Sequence, residues 1–88
     1  MSSYHVEINP AARRDLKKFK RSNLPLTHIF ISLIDGLAAD PYGGKPLTGD
    51  KQGCYSLRHS DYRIIYAVYE QSRTVLVVRV GHRREVYR

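Results

Sequence analysis

Arg58, Arg63, His82, Arg83, Arg84 and Tyr87 crowd the last third of an 88-residue chain. Guanidinium groups present a planar fork of donors that fits phosphate oxygens. An imidazole takes or gives a proton near neutral pH, and a phenol ring stacks on a splayed base. Such a set suits cleavage of RNA by attack of a ribose 2′-OH on the adjacent phosphate. That reaction needs charge stabilisation at the phosphate, an acceptor for the 2′-OH proton and a donor for the leaving 5′-oxygen.

These side chains act together only if strands bring them to one face. The stretch 62–69 is rich in Ile, Val and Tyr and reads as a strand. Alternation sends Tyr62, Ile64, Tyr66 and Val68 one way, and Arg63, Ile65, Ala67 and Tyr69 the other. In the preceding strand, 54–58, Cys54, Ser56 and Arg58 share a face against Tyr55 and Leu57. The short connection His59-Ser60-Asp61 is expected to set Arg58 opposite Arg63, so that Ser56, Arg58 and Arg63 lie on one surface. A slip of one residue would undo this, because every side chain would change face. The segment after Gly81 is expected to close over that surface with His82, Arg83, Arg84 and Tyr87.

The rest of the chain reads as the support. Tyr4 to Ile8 alternates as a half-buried strand. Asn9-Pro10 is an N-cap followed by proline at the first helical position, opening a helix to about Lys20 with Ala12, Leu16 and Phe19 on its apolar face. A second helix runs from about Leu24 to Ala38, with Leu26, Phe30, Leu33, Ile34 and Leu37 in a stripe. Residues 40–53 carry Pro, Gly, Asp and Thr and read as a loop, long for a small domain. A third strand follows over 74–80, rich in Val. The expected architecture is α+β, a small single domain over residues 1–88 in the order β-α-α-β-β-β, its antiparallel sheet packed against a helical hairpin. The first strand joins this sheet, since an isolated strand is not viable.

Composition narrows the function. Hydrophobic residues are 42% and charged residues 26%, ordinary for a folded domain. The charge is not ordinary: 15 Lys and Arg against 8 Asp and Glu give +7, and ten of the fifteen are Arg. Nucleic acid is the expected partner. One cysteine, Cys54, excludes a disulfide framework and reads as a small strand residue. His5, His28 and His59 read as surface or packing residues, and the four histidines lack ligand spacing. No metal or other cofactor is expected. The N-terminal residues have no apolar core of a signal peptide, and no stretch approaches a membrane span. A reduced cytoplasmic setting without a membrane partner is expected.

Two segments together, Tyr62-Arg63-Ile64-Ile65-Tyr66 and Gly81-His82-Arg83-Arg84-Glu85-Val86-Tyr87, with the loop Lys45-Pro46-Leu47-Thr48-Gly49, resemble the RelE branch of the RelE/ParE toxin superfamily. The resemblance covers nearly the whole chain. It implies a toxin of a type II toxin–antitoxin system, a metal-independent endoribonuclease that enters the ribosomal A site, cuts the mRNA there and inhibits translation. It implies a cognate antitoxin that blocks the toxin, and operator DNA bound by the complex of the two. By their match to the family, Arg63, Arg83 and Tyr87 are expected to be catalytic, with Tyr87 stacking on a base; His82 joins them from its chemistry. Arg58, Lys45, Lys51 and Arg84 are expected to bind nucleic acid. One departure stands out: Cys54 and Ser56 occupy the places of two family lysines, which leaves Lys51, His82 or Glu85 to take the 2′-OH proton. The chain also ends too early for the helix that follows the last strand in some members, so a short mobile tail is expected. A ParE-like gyrase poison, a plain nucleic-acid binder and an inactive relative remain alternatives.

Overall fold

A computed structural model describes residues 3–87. Strand β1 (His5–Ile8) leads into helices α1 (Pro10–Ser22) and α2 (Leu24–Gly36). Strand β2 (Lys45–Pro46) and a 3-10 turn (Gly49–Lys51) follow, then β3 (Cys54–His59), β4 (Tyr62–Tyr69), β5 (Thr74–His82) and helix α3 (Arg83–Val86). The sheet order is β1-β5-β4-β3-β2. β1 runs parallel to β5, and the other neighbours are antiparallel. The α+β order read from the sequence holds, with two additions: β2 lies inside the stretch read as loop, and α3 replaces the expected free tail.

Two asparagines set the helical hairpin. Asn9 Oδ1 accepts the Ala12 N–H at 2.8 Å, with Pro10 at the first helical position. Asn23 serves both helices: its N–H donates to the Phe19 carbonyl, and its Oδ1 accepts the Leu26 N–H at 3.2 Å. The hairpin's apolar stripes bury Ala12, Phe30, Ile34 and Leu37 against Ile64, Tyr66, Val75, Val77 and Val80 of the sheet. Phe19, Phe30 and Tyr62 meet edge to face at centroid distances of 5.2 to 5.8 Å.

Helix α1 also finishes the sheet edge. β1 covers β5 only as far as Val77. Beyond it, the Val80 N–H donates to Asp15 Oδ2 at 2.9 Å, and Arg79 Nε donates to the same oxygen at 2.8 Å. One carboxylate thus replaces the missing strand partner.

The path of α3 depends on a bulge. Ile65 faces Arg79 but Tyr66 faces Val77, so Val78 is an extra residue in β5. This register sets Gly81 opposite Arg63. A Cβ on Gly81 would come within 3.2 Å of Val86 Cγ1, so the absent side chain makes the space that α3 fills. Val86 is buried, as are Ile65 and Ala67, and none of the three belongs to the core cluster under the helical hairpin. Burial of Val86 offsets the entropy of ordering the C-terminal segment, which is why that segment does not trail free.

The turn that delivers β2 is anchored at both ends. Tyr4 and Tyr42 both donate their phenol O–H to the Glu70 carboxylate. Tyr42 packs edge-on against Tyr55, which stacks on Tyr66. The Gly44 N–H donates to Tyr66 Oη at 2.9 Å, and a Cβ there would lie 2.8 Å from the Ser56 carbonyl oxygen. Only glycine lets the backbone approach β3 this closely.

The bond to Glu70 pushes the Tyr42 phenol up to about 12, and the two phenols hold the Glu70 carboxyl below its ordinary range. A depressed carboxyl contributes stability above its unfolded pKa and loses it as pH falls through the folded value. A raised phenol contributes stability below the ordinary 10.0 and loses it as pH climbs through about 12. The stability difference between the protein and Glu70→Gln is therefore expected to be flat near neutrality and to shrink in both acid and strong alkali. Urea unfolding across pH measures it, and a difference that persists unchanged below the carboxylate range would contradict the anchor.

Candidate active site

β3 and β4 meet in the register expected from the sequence: Arg58 opposite Arg63, Leu57 opposite Ile64 and Ser56 opposite Ile65. Ser56, Arg58 and Arg63 accordingly share the face turned away from the helical hairpin. With Lys45, Pro46, Leu47, Thr48 and Tyr87 they line a cleft of about 560 Å³. The sheet forms its floor, the β2 segment one wall and the end of α3 the other.

Each wall is positioned by a specific contact. Tyr87 Oη donates to Ser56 Oγ at 3.2 Å, which lays the ring against the floor while leaving it 42% exposed. Lys45 pairs across the strands with Ser56, so it projects on the same face. Arg63 is fixed from the hairpin turn. Its Nη1 donates to the carbonyls of Ser60 and Tyr62 at 3.0 and 2.9 Å. Ser60 takes the left-handed φ of 55° in that two-residue turn. Among the described residues, Nε and Nη2 of Arg63 have no protein partner, so one edge of the fork stays available to an anion.

The cleft therefore holds three cations, one aromatic ring and two hydroxyls, without a carboxylate in its lining. Such a set of donors has the chemistry to hold and polarise an anion such as a phosphodiester, and a half-exposed ring is a surface on which a planar group could stack. An adjoining depression of about 410 Å³ shares Leu47, Thr48 and Tyr87 and adds Asp50 and Lys51. Lys51 thus stands beside the cleft rather than in it.

The remaining expected residues lie elsewhere. His82 pairs with Tyr62, whose ring packs on Phe19 and Phe30, and the imidazole meets Tyr62 edge to face at 5.9 Å. It belongs to the helix side of the sheet. Its Nδ1 accepts the Arg84 N–H at 3.2 Å as the N-cap of α3. The expectation that His82 closes over the arginine surface is corrected: strand alternation continues through Gly81 and turns residue 82 away. Arg83 opens α3, its N–H donating to the Asp61 carbonyl at 2.9 Å, which places it at the Arg63 end of the sheet. Arg83 and Arg84 are exposed and line neither cavity. The sequence reading did not single out Leu47 and Thr48 as site residues. They reach the cleft through the β2–β3 pairing, and a two-residue strand carries no periodicity to reveal it.

Comparison with known proteins adds to this geometry. The profile of a family described as the ParE toxin of the type II toxin–antitoxin system parDE matches residues 6–87. Toxin RelG of Mycobacterium tuberculosis is 35% identical over 86 residues, covering 97% of each chain. The chain belongs to the RelE/ParE toxin family. Toxin RelE of the same organism is 32% identical over 87 residues, spanning 97% of this chain and 87% of that relative. A chain in the crystal structure of the M. tuberculosis toxin–antitoxin complex RelBE2 superposes with a TM-score of 0.82 at 32% identity, covering 97% of both. This RelE/ParE family member is thus a toxin of the type II toxin–antitoxin class.

The hydrogen bond between Tyr87 and Ser56 is a single coupled feature. Tyr87→Phe and Ser56→Ala are each expected to cost about 0.5–1.5 kcal/mol, and the double variant no more than the larger single loss. Urea denaturation of all four proteins measures this; simple additivity would show that the two side chains do not interact.

Proposed function

We propose that this toxin is a ribosome-dependent, metal-independent endoribonuclease that cuts mRNA in the ribosomal A site, and that a cognate antitoxin restrains it. The observation that carries the proposal is the convergence of Lys45, Ser56, Arg58, Arg63 and Tyr87 on one cleft. In this reading the free edge of the Arg63 fork holds the scissile phosphate and stabilises charge as the 2′-OH attacks. Arg58 holds a neighbouring phosphate, and Tyr87 stacks on a base. Arg83 adds positive charge at the Arg63 end of the sheet, outside the cleft, and solvent water supplies the proton to the leaving 5′-oxygen.

The cleft also offers an answer to the missing lysines. Position 56 is a serine, but the cross-strand position beside it is Lys45. We assign the acceptor of the 2′-OH proton to Lys45 in its neutral amine form, whose lone pair takes that proton, on the same face and one strand over. His82 is set aside for this role by its placement against Tyr62. Lys51 and Arg84 are left to contact the RNA backbone outside the cleft.

The antitoxin is supported by the 32%-identical chain whose crystal structure is a toxin–antitoxin complex. In this reading the complex of the two binds operator DNA, and the toxin acts in the cytoplasm. Among the described residues, no helix is long and apolar enough to cross a membrane.

The test is 5′-end mapping of a defined mRNA, free and on ribosomes with an empty A site. New ends are expected only with ribosomes, and Arg63→Ala is expected to slow their appearance by about 10²–10³-fold. The ParE description of the family profile favours a second reading, poisoning of DNA gyrase. No new ends with ribosomes, together with inhibition of gyrase supercoiling by the purified chain, would move the assignment there.

A further inference from the structure

His82 stands on the helix side of the sheet, yet it holds a piece of the opposite face. The chain crosses over beside it. Gly81 lies opposite Arg63, and α3 folds back above Gly81 to seat Val86. Tyr87 follows and reaches Ser56 Oγ at 3.2 Å. The seat of α3 therefore sets one wall of the cleft.

That seat is small. α3 is four residues long, a length with little stability of its own. Val86 is buried under it. At its start the Arg83 N–H donates to the Asp61 carbonyl at 2.9 Å, and the Arg84 N–H donates to His82 Nδ1 at 3.2 Å. Only the last of these contacts uses an acceptor of a type that titrates near neutral pH. The imidazole is aimed at α3 by the Tyr62 ring, which meets it edge to face at 5.9 Å and is itself packed on Phe19 and Phe30.

We propose that His82 is a positioning residue for Tyr87: its neutral imidazole caps α3 and holds the Tyr87 wall in place, and its protonation releases that wall. An imidazolium carries a hydrogen on both nitrogens and accepts no bond. Protonation at Nδ1 sets N–H against N–H and strands the Arg84 amide, one of the free donors of a helix start. It also adds a positive charge beside Arg83 and Arg84, with Glu85 the acid of the same turn. From the other elements, the charged and titratable groups on this side are Tyr62 on β4, His59 in the same cross-strand row on β3, Asp61 in the turn between them, and Lys18 on the α1 turn that carries Phe19. Among them His59 is the one residue of a type that titrates in the same range. The device does not depend on what reaction the cleft performs.

The test is NMR of the whole chain between about pH 8 and pH 5, following the Val86 methyls, the Tyr87 ring and the rings of His82 and His59. Urea-unfolded chain supplies the released shifts, and the Ile64 methyl reports the core. In the native chain the ratio of seated to released α3 is expected to fall about fivefold, with the midpoint of the His82 ring and with Ile64 unmoved. His82→Asn is expected to stay seated throughout, because its Oδ1 caps a helix and does not titrate. His82→Leu is expected to sit nearer the released shifts at every pH; if it does not fold, His82→Asn decides alone. A response that survives in His82→Asn, or that follows the His59 midpoint, would overturn the proposal. So would Val86 and Tyr87 signals that stay fixed while His82 titrates, or that move only together with Ile64. A folded His82→Leu seated like the native chain would overturn it as well.

Discussion

Everything on the working face follows from the pairing of β3 with β4. Arg58 stands opposite Arg63, and from that one register the alternation of side chains divides the sheet into two surfaces. Tyr62, Ile64 and Tyr66 enter the core, while Arg63, Ile65 and Ser56 face the other way. Two guanidinium groups directly across a strand pair repel each other. The fold accepts that arrangement because apolar burial on the opposite face fixes the register: a slip would expose Ile64 and Tyr66 and bury Arg63. The hydrophobic core thus supplies what holds like charges side by side.

The walls of the cleft depend on small details elsewhere. Gly44 lets β2 lie close to β3, and so brings Lys45 beside Ser56. Gly81, placed opposite Arg63 by the bulge at Val78, leaves room for Val86, which in turn carries Tyr87 to Ser56. Neither glycine touches the cleft as a reactive group. Both act through backbone proximity, one at each wall. The same logic explains why His82 is not in the site: it continues the strand by one residue past Gly81, and one residue is a change of face.

How much of this was legible in the sequence follows from the range of each interaction. The helices were readable because caps and stripes are local: Asn9-Pro10 marks the start of the first, and Leu26, Phe30 and Ile34 mark the buried face of the second. The β3–β4 surface was readable because alternation and a short turn fix the register. The β2 wall was not, since two residues between Gly44 and the 3-10 turn carry no period, and their pairing depends on contacts with Tyr66 and Ser56. The course of the C-terminal segment was missed for the same reason. A four-residue helix has little intrinsic stability, and only the space above Gly81 makes Val86 a buried residue. Resemblance named Arg63 and Tyr87, while the placement of Lys45 across from Ser56 is a tertiary fact.

On the proposed endonuclease reading, the lysine absent from β3 is supplied from the neighbouring strand onto the same face. Cleavage of ribosome-bound mRNA by Lys45→Ala and by Lys45→Ala/Ser56→Lys measures this directly. The account predicts that the single variant loses activity by about 10²–10⁴-fold, the range of a general-base contribution, and that the double variant regains a substantial part of it. Wild-type cleavage by Lys45→Ala would contradict the account.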